Sequence, residues 1–75
     1  MVMSRSPIKL LDVVALLNDR PELGLQAGHV GTVVEELSPE VFEVEFLDAS
    51  GRTVTIDELR RDDLLVLRHR VNAAA

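Results

Sequence analysis

Phe42-Glu43-Val44-Glu45-Phe46 alternates strictly between apolar and charged residues, and this stretch decides the fold class. Successive side chains of a strand point to opposite faces, so Phe42, Val44 and Phe46 share one side and Glu43 and Glu45 the other. Turn chemistry bounds the strand at both ends. Asp48-Ala49-Ser50-Gly51 has Asp and Gly at the first and fourth positions of a type I turn, closing a hairpin onto Thr53-Val54-Thr55-Ile56. In that next strand Val54 and Ile56 are expected inward and both threonines outward. On the other side, Ser38-Pro39-Glu40 places proline where the second residue of a turn needs φ of about −65°.

Further outward the pattern continues. Val30-Gly31-Thr32-Val33-Val34 is rich in β-branched residues and follows Gly28, as a strand leaving a tight turn does. Leu64-Leu65-Val66-Leu67 is a short apolar run consistent with a strand covered on both sides. Asp57 to Arg61 is expected to form one helical or 3-10 turn with Asp57 as its N-cap. Asn18 to Gly28 is a long loop containing Pro21 and Gly24, with Leu23 and Leu25 tucked beneath it. The N-terminal segment is ambiguous. Ser6-Pro7 suits a helix start and Ile8, Leu11 and Ala15 share a helical face, whereas Val13-Val14 favours a strand. Asp12 to Leu17 is read as a strand because the remaining β meander needs an N-terminal partner.

Five short strands, a long first loop, tight hairpins and a helical turn before the last strand describe a small all-β, SH3-like barrel. The stretches Asp12-Val13-Val14-Ala15-Leu16, Leu25-Gln26-Ala27-Gly28-His29-Val30-Gly31-Thr32-Val33-Val34 and Phe42 to Phe46 resemble a small bacterial family, domain of unknown function 4926. The resemblance runs from about Asp12 to Leu67 and strengthens the fold while implying no activity. His29 stands where the family usually has Asp. The domain is expected over residues 8–70, with a flexible tail at 1–7 and a frayed one at 71–75.

Composition excludes more functions than it suggests. The 75 residues are 47% hydrophobic and 28% charged, so the chain is neither disordered nor fibrous. The longest apolar run, Val13 to Leu17, is too short to span a bilayer, and the N-terminus lacks signal-peptide features. A cytoplasmic protein is expected. With no cysteine there is neither a disulfide nor a thiolate nucleophile. The two histidines, His29 and His69, show no metal-ligand spacing, so no metal and no cofactor are expected. Paired carboxylates such as Glu35/Glu36, Glu43/Glu45, Asp57/Glu58 and Asp62/Asp63 fall where solvation is the default, and no serine has an orienting His–Asp pair. No catalytic residue is assigned.

The Gly28 to Val34 element also resembles the KOW motif of RNA-contacting SH3-like domains. Its flanks here carry Glu35 and Glu36 instead of basic residues, and the net charge is −5. Nucleic acid is therefore an unfavoured partner, and Gly28, Gly31 and Gly51 are read as structural turn residues. The absence of Trp and Tyr leaves no aromatic groove for polyproline.

What remains is a non-catalytic interaction or assembly module. A short chain without staples has little stability to spare, and strands one and five carry apolar residues on both faces. Val14, Leu16, Leu65 and Leu67 are the candidate interface residues. A homodimer, strand-exchanged through the Asn18 to Gly28 loop in one version, or an unidentified protein partner would cover them. Glu35 to Asp48 holds six acids and no base, while Arg60, Arg61, Arg68 and Arg70 lie nearer the C-terminus. A KOW-like module and an antitoxin-like accessory protein are the alternatives.

Overall fold

The computed structural model describes residues 7–68. The expected tails, apart from Pro7, and also His69 and Arg70, lie outside the described residues. The strands are β1 (Val13–Leu16), β2 (Val30–Ser38), β3 (Val41–Leu47), β4 (Thr53–Arg60) and β5 (Leu64–Val66). One 3-10 turn (Pro21–Leu23) lies in the long first loop and a second (Arg61–Asp63) precedes β5. All neighbours pair antiparallel in the order β4-β3-β2-β1-β5.

That order corrects the expected SH3-like barrel. No ladder joins β4 to β5, so the sheet is open, with those two strands as its edges. β5 is three residues long, and its pairing is with β1. The turn between the two edge strands is held elsewhere: the Arg61 N–H donates to the Glu40 carbonyl at 2.8 Å, and its guanidinium lies 3.5 Å from the Glu40 carboxylate. Alternation counts strands and orders hairpins, but closure depends on edge pairing, which alternation does not encode.

The core lies on one face, here called inner. Phe42, Val44 and Phe46 are buried there, as their alternation requires, with Val14 and Leu16 of β1 and Val33 of β2. Ile8 and Leu25 reach the same core from outside the strands, and Leu23 packs against it. The N-terminal segment is not a helix: β1 is the strand, and the Leu11 N–H donates to the Val33 carbonyl ahead of it.

β4 reverses its expected faces. Phe42, Val44 and Phe46 stand opposite Leu59, Asp57 and Thr55, so these three share the inner side. Leu59 is buried, whereas Val54 and Ile56 are 58% and 50% exposed. A register irregularity between Phe46 and Leu47 adds one residue to β4 and sets the flip, since a one-residue slip moves every side chain to the other face. Asp57 is thus an inward-facing acid on an edge strand, its carboxylate accepting from the Thr55 hydroxyl at 2.7 Å. Inward charges of this kind obstruct pairing with another chain. Asp57 consequently caps nothing: the helical turn comes four residues later, begins after Arg60, and has no side-chain cap.

The glycines divide by mechanism. Gly28 (φ +94°) and Gly51 (φ +87°) occupy the left-handed region open to glycine. Gly31 has ordinary backbone but no room, because a Cβ there would lie 2.7 Å from Val44 Cγ1 and 2.8 Å from the Glu45 carbonyl.

Candidate functional site

Because the sheet is open, its second face is the candidate site. Its rows follow from the register. Leu65 stands opposite Ala15, and Ala15 opposite Val30. One rung on, Val13, Thr32, Glu45 and Ile56 stand side by side across four strands. The next row places Glu35 against Glu43 and Glu43 against Glu58. The outer face therefore changes from apolar, where β5, β1 and β2 meet, to acidic across β2, β3 and β4. Leu17, Val30, Leu47, Ile56 and Leu65 are each 47–51% exposed.

The glutamate row is costly in isolation, since like charges directly opposite destabilise a sheet. Its strands are about 4.8 Å apart. Glu43 and Glu45 are half-buried, and Glu45 accepts from the Thr53 hydroxyl at 2.5 Å. Among the described residues no group of three His, Cys, Asp or Glu converges closely enough to hold a metal ion.

Two shallow clefts border the long first loop and share Gly24, Leu25 and His29. One, of about 250 Å³, is lined by Val30, Phe46, Leu47 and Val54, with Asp48 on its wall. The other, of about 310 Å³, includes Asp19, Pro21 and Gln26. The extra residue in β4 is Val54, which the irregularity turns into the first cleft. Asp48 accepts from the Ser50 hydroxyl (2.6 Å), the Arg52 N–H (3.0 Å) and the Ser50 N–H (2.8 Å). The Ser50 hydroxyl, then the Arg52 amide, hold its carboxyl below the ordinary value of 3.8.

His29 has a local role. Its Nδ1 accepts from the Gln26 N–H at 2.9 Å, while its own N–H donates to the Gln26 carbonyl at 3.0 Å. The exchange closes the turn before β2 and leaves Nε2 as the protonated nitrogen of the neutral ring.

Of the four candidate interface residues, Val14 and Leu16 lie in the core at 0% and 2% exposure and present no outer surface. Inward alternation in β1 begins at Val14, so the face they were to supply belongs to Val13, Ala15 and Leu17. Leu65 is 51% exposed and stands on the outer face, with Leu67 half-buried beyond it.

Two features had no signal in the sequence. Asp63 is buried, paired with Arg20 and 3.3 Å from the Asn18 amide, which ties the long first loop to the second 3-10 turn. Leu11 has φ +71° and is 70% exposed, an uncommon backbone for a branched side chain.

With this geometry in place, a protein-family model described as a domain of unknown function, DUF4926, matches residues 10–66. The chain belongs to that family. No curated protein and no solved structure matches it. The DUF4926 match spans all five strands, hence both the apolar and the acidic parts of the outer face. No helix among the described residues is long and apolar enough to cross a membrane.

Proposed function

We propose that this DUF4926 chain is a non-catalytic protein-interaction module whose binding surface is the outer face of its open sheet. One observation carries the reading: Val30 and Leu65, both about half exposed, stand on either side of Ala15 across three strands, with half-exposed Leu17 directly after β1. A cluster of large apolar residues on one side of a sheet gains free energy when covered. The partner is either another protein or a second copy of this chain; β1 is paired within its own chain on both sides. The adjoining carboxylates oppose a nucleic-acid partner, since phosphate would meet Glu35, Glu43 and Glu58 at close range.

The test is affinity capture from source lysate, with and without nuclease, using the wild-type chain and a Val30→Asp, Leu65→Asp double variant. Sedimentation runs alongside. A nuclease-resistant protein partner or a dimer, lost in the variant while its melt is unchanged, is the expected result. Captured material that depends on nucleic acid overturns the reading. So does a wild-type chain that stays monomeric and retains nothing more than the variant does.

A further inference from the structure

The turn that leads into β1 displays two leucines at a conformational cost that nothing in the single chain offsets. Lys9 to Asp12 form it: the Asp12 N–H donates to the Lys9 carbonyl at 3.0 Å, and the Lys9 N–H donates to the Asp12 carboxylate at 2.8 Å. Leu11, its third residue, has φ +71°, where glycine or asparagine is usual. Leu10 and Leu11 are 60% and 70% exposed, so neither gains from burial what the backbone loses. The turn is also held on both sides. Ile8 is buried in the core before it, while the Leu11 N–H donates to the Val33 carbonyl and the Asp12 carbonyl accepts from the Val33 N–H. Large apolar side chains on a turn fixed in this way are preorganised anchors, whose ordering costs little on binding.

We propose that this turn places its exposed leucines in the cleft of about 250 Å³ on a second copy of the chain. That cleft offers hydrocarbon from Leu25, Val30, Leu47 and Val54. Charge complements the apolar contact. Lys9 is exposed and makes no ion pair among the described residues. Asp48, on the cleft wall, takes its side-chain hydrogen bonds from Ser50 and Arg52 on Oδ1, which leaves Oδ2 open to a cation. The turn and the cleft stand at opposite ends of β1: the turn precedes Val13, whereas the Leu16 N–H donates to the carbonyl of His29, which lines the cleft. The four residues of β1 set them roughly 13 Å apart along the strand. A turn pinned there does not fill its own cleft, and reciprocal insertion about a two-fold axis uses both features of both copies.

Each copy carries a net charge of −5, and physiological salt screens that repulsion beyond about 8 Å. The contact goes beyond the outer-face reading: Leu10 and Leu11 belong to none of its rows, and Leu65 lies outside the cleft. Either can therefore fail without the other.

Sedimentation and the amide resonances of the full chain, followed on dilution, test the contact. The wild type is expected to dimerise, with concentration-dependent shifts at Leu10, Leu11, Leu25, Leu47 and Val54. Leu11→Gly should weaken the dimer by about tenfold or more while raising the melting temperature of the dilute monomer, since glycine adopts positive φ without strain. A turn with a purely structural role would show the second effect without the first. Val54→Asp, at a position 58% exposed, should also give folded monomers, and Leu65→Asp should leave the dimer intact. The decisive step mixes two defective chains. Isotope-labelled Leu11→Asp retains a cleft and unlabelled Val54→Asp retains a turn, so mixing them should shift the labelled Leu25, Leu47 and Val54 amides. A wild type still monomeric at about 1 mM, an unshifted mixture, a Leu11→Gly dimer as tight as wild type, or a Leu11→Gly melt below it each overturns the proposal. Loss of the dimer in Leu65→Asp alone also overturns it and leaves the outer-face reading standing. That reading falls only with the capture and sedimentation results described for it.

Discussion

The inner and outer faces of this sheet are built from the same strands, and they obey different rules. On the inner face every strand contributes residues that bury hydrocarbon: Phe42, Val44 and Phe46 are exposed by 2% or less. On the outer face the same strand presents Glu43 and Glu45, and its neighbours place Glu35 and Glu58 beside them. The inner face is arranged for stability. The outer face carries a like-charge row and a set of half-exposed leucines and valines, neither of which stabilises the isolated chain. Proteins tolerate such costs where a surface serves function, because selection demands adequate stability rather than maximal stability.

The sharpest way to break this comparison is to truncate one residue from each face. Phe46→Ala should cost about 3–5 kcal/mol, the usual range for removing a buried aromatic side chain from a core. Glu45→Ala, one residue away on the other face, should stay within about 0.5 kcal/mol. Urea melts of the two variants measure both. Equal losses would mean that the faces are not distinct in energy.

The same contrast explains what was legible beforehand. Alternation in Phe42 to Phe46 is unambiguous because each apolar residue alternates with a charge. In Thr53 to Ile56 it alternates with threonine, which is at home on either side of a half-buried strand. The decisive residue was Leu59, which fixes β4 from its other end, and the intervening irregularity reversed the parity that Val54 and Ile56 suggested. The turns were legible for a simpler reason. Gly51 and Gly28 sit where positive φ is needed, and local chemistry encodes local geometry. The openness of the sheet and the Arg20–Asp63 pair were not legible, because both are decided between residues distant in sequence without a local pattern. For the site, the charge run from Glu35 to Asp48 was visible. Its assembly into a row with Glu58 required the β3–β4 register. Val14 and Leu16 face the core instead of an interface, and an unbroken apolar run gives no indication of which alternate residues do so.

A middle-sized effect sharpens the comparison further. Glu43 is the central member of the glutamate row, opposite Glu35 on one strand and Glu58 on the other. Glu43→Gln keeps its shape and removes two unfavourable neighbours, so it should stabilise the fold by about 0.2–1 kcal/mol. The gain should shrink as salt is added, since screening already weakens the repulsion it relieves. Thermal melts at low and high ionic strength measure it. Destabilisation at low salt would show that Glu43 makes a favourable contact with its surroundings and that the row is not a cost.

The smallest effect separates a carboxylate that stabilises its own turn from those that do not. Asp48 accepts hydrogen bonds from Ser50 and Arg52, and these hold its folded pKa below the ordinary 3.8. A depressed folded pKa means that the unfolded chain binds the proton more readily. The contribution of Asp48 is therefore present above the unfolded value and is lost as pH falls through the folded one. Asp48→Asn retains an acceptor oxygen but removes the charge that strengthens those bonds. It should lower the urea midpoint slightly near neutral pH, and the gap from wild type should begin to close near pH 3.8, where the unfolded chain takes up the proton, and vanish once the pH is below the lowered folded value. The side chain is fully exposed, so the difference at neutral pH should be small. Urea melts of both proteins across the acid range measure it. A gap that persists unchanged into strong acid would show that Asp48 acts through shape, and that the charge on the cleft wall contributes nothing to the hairpin that carries it.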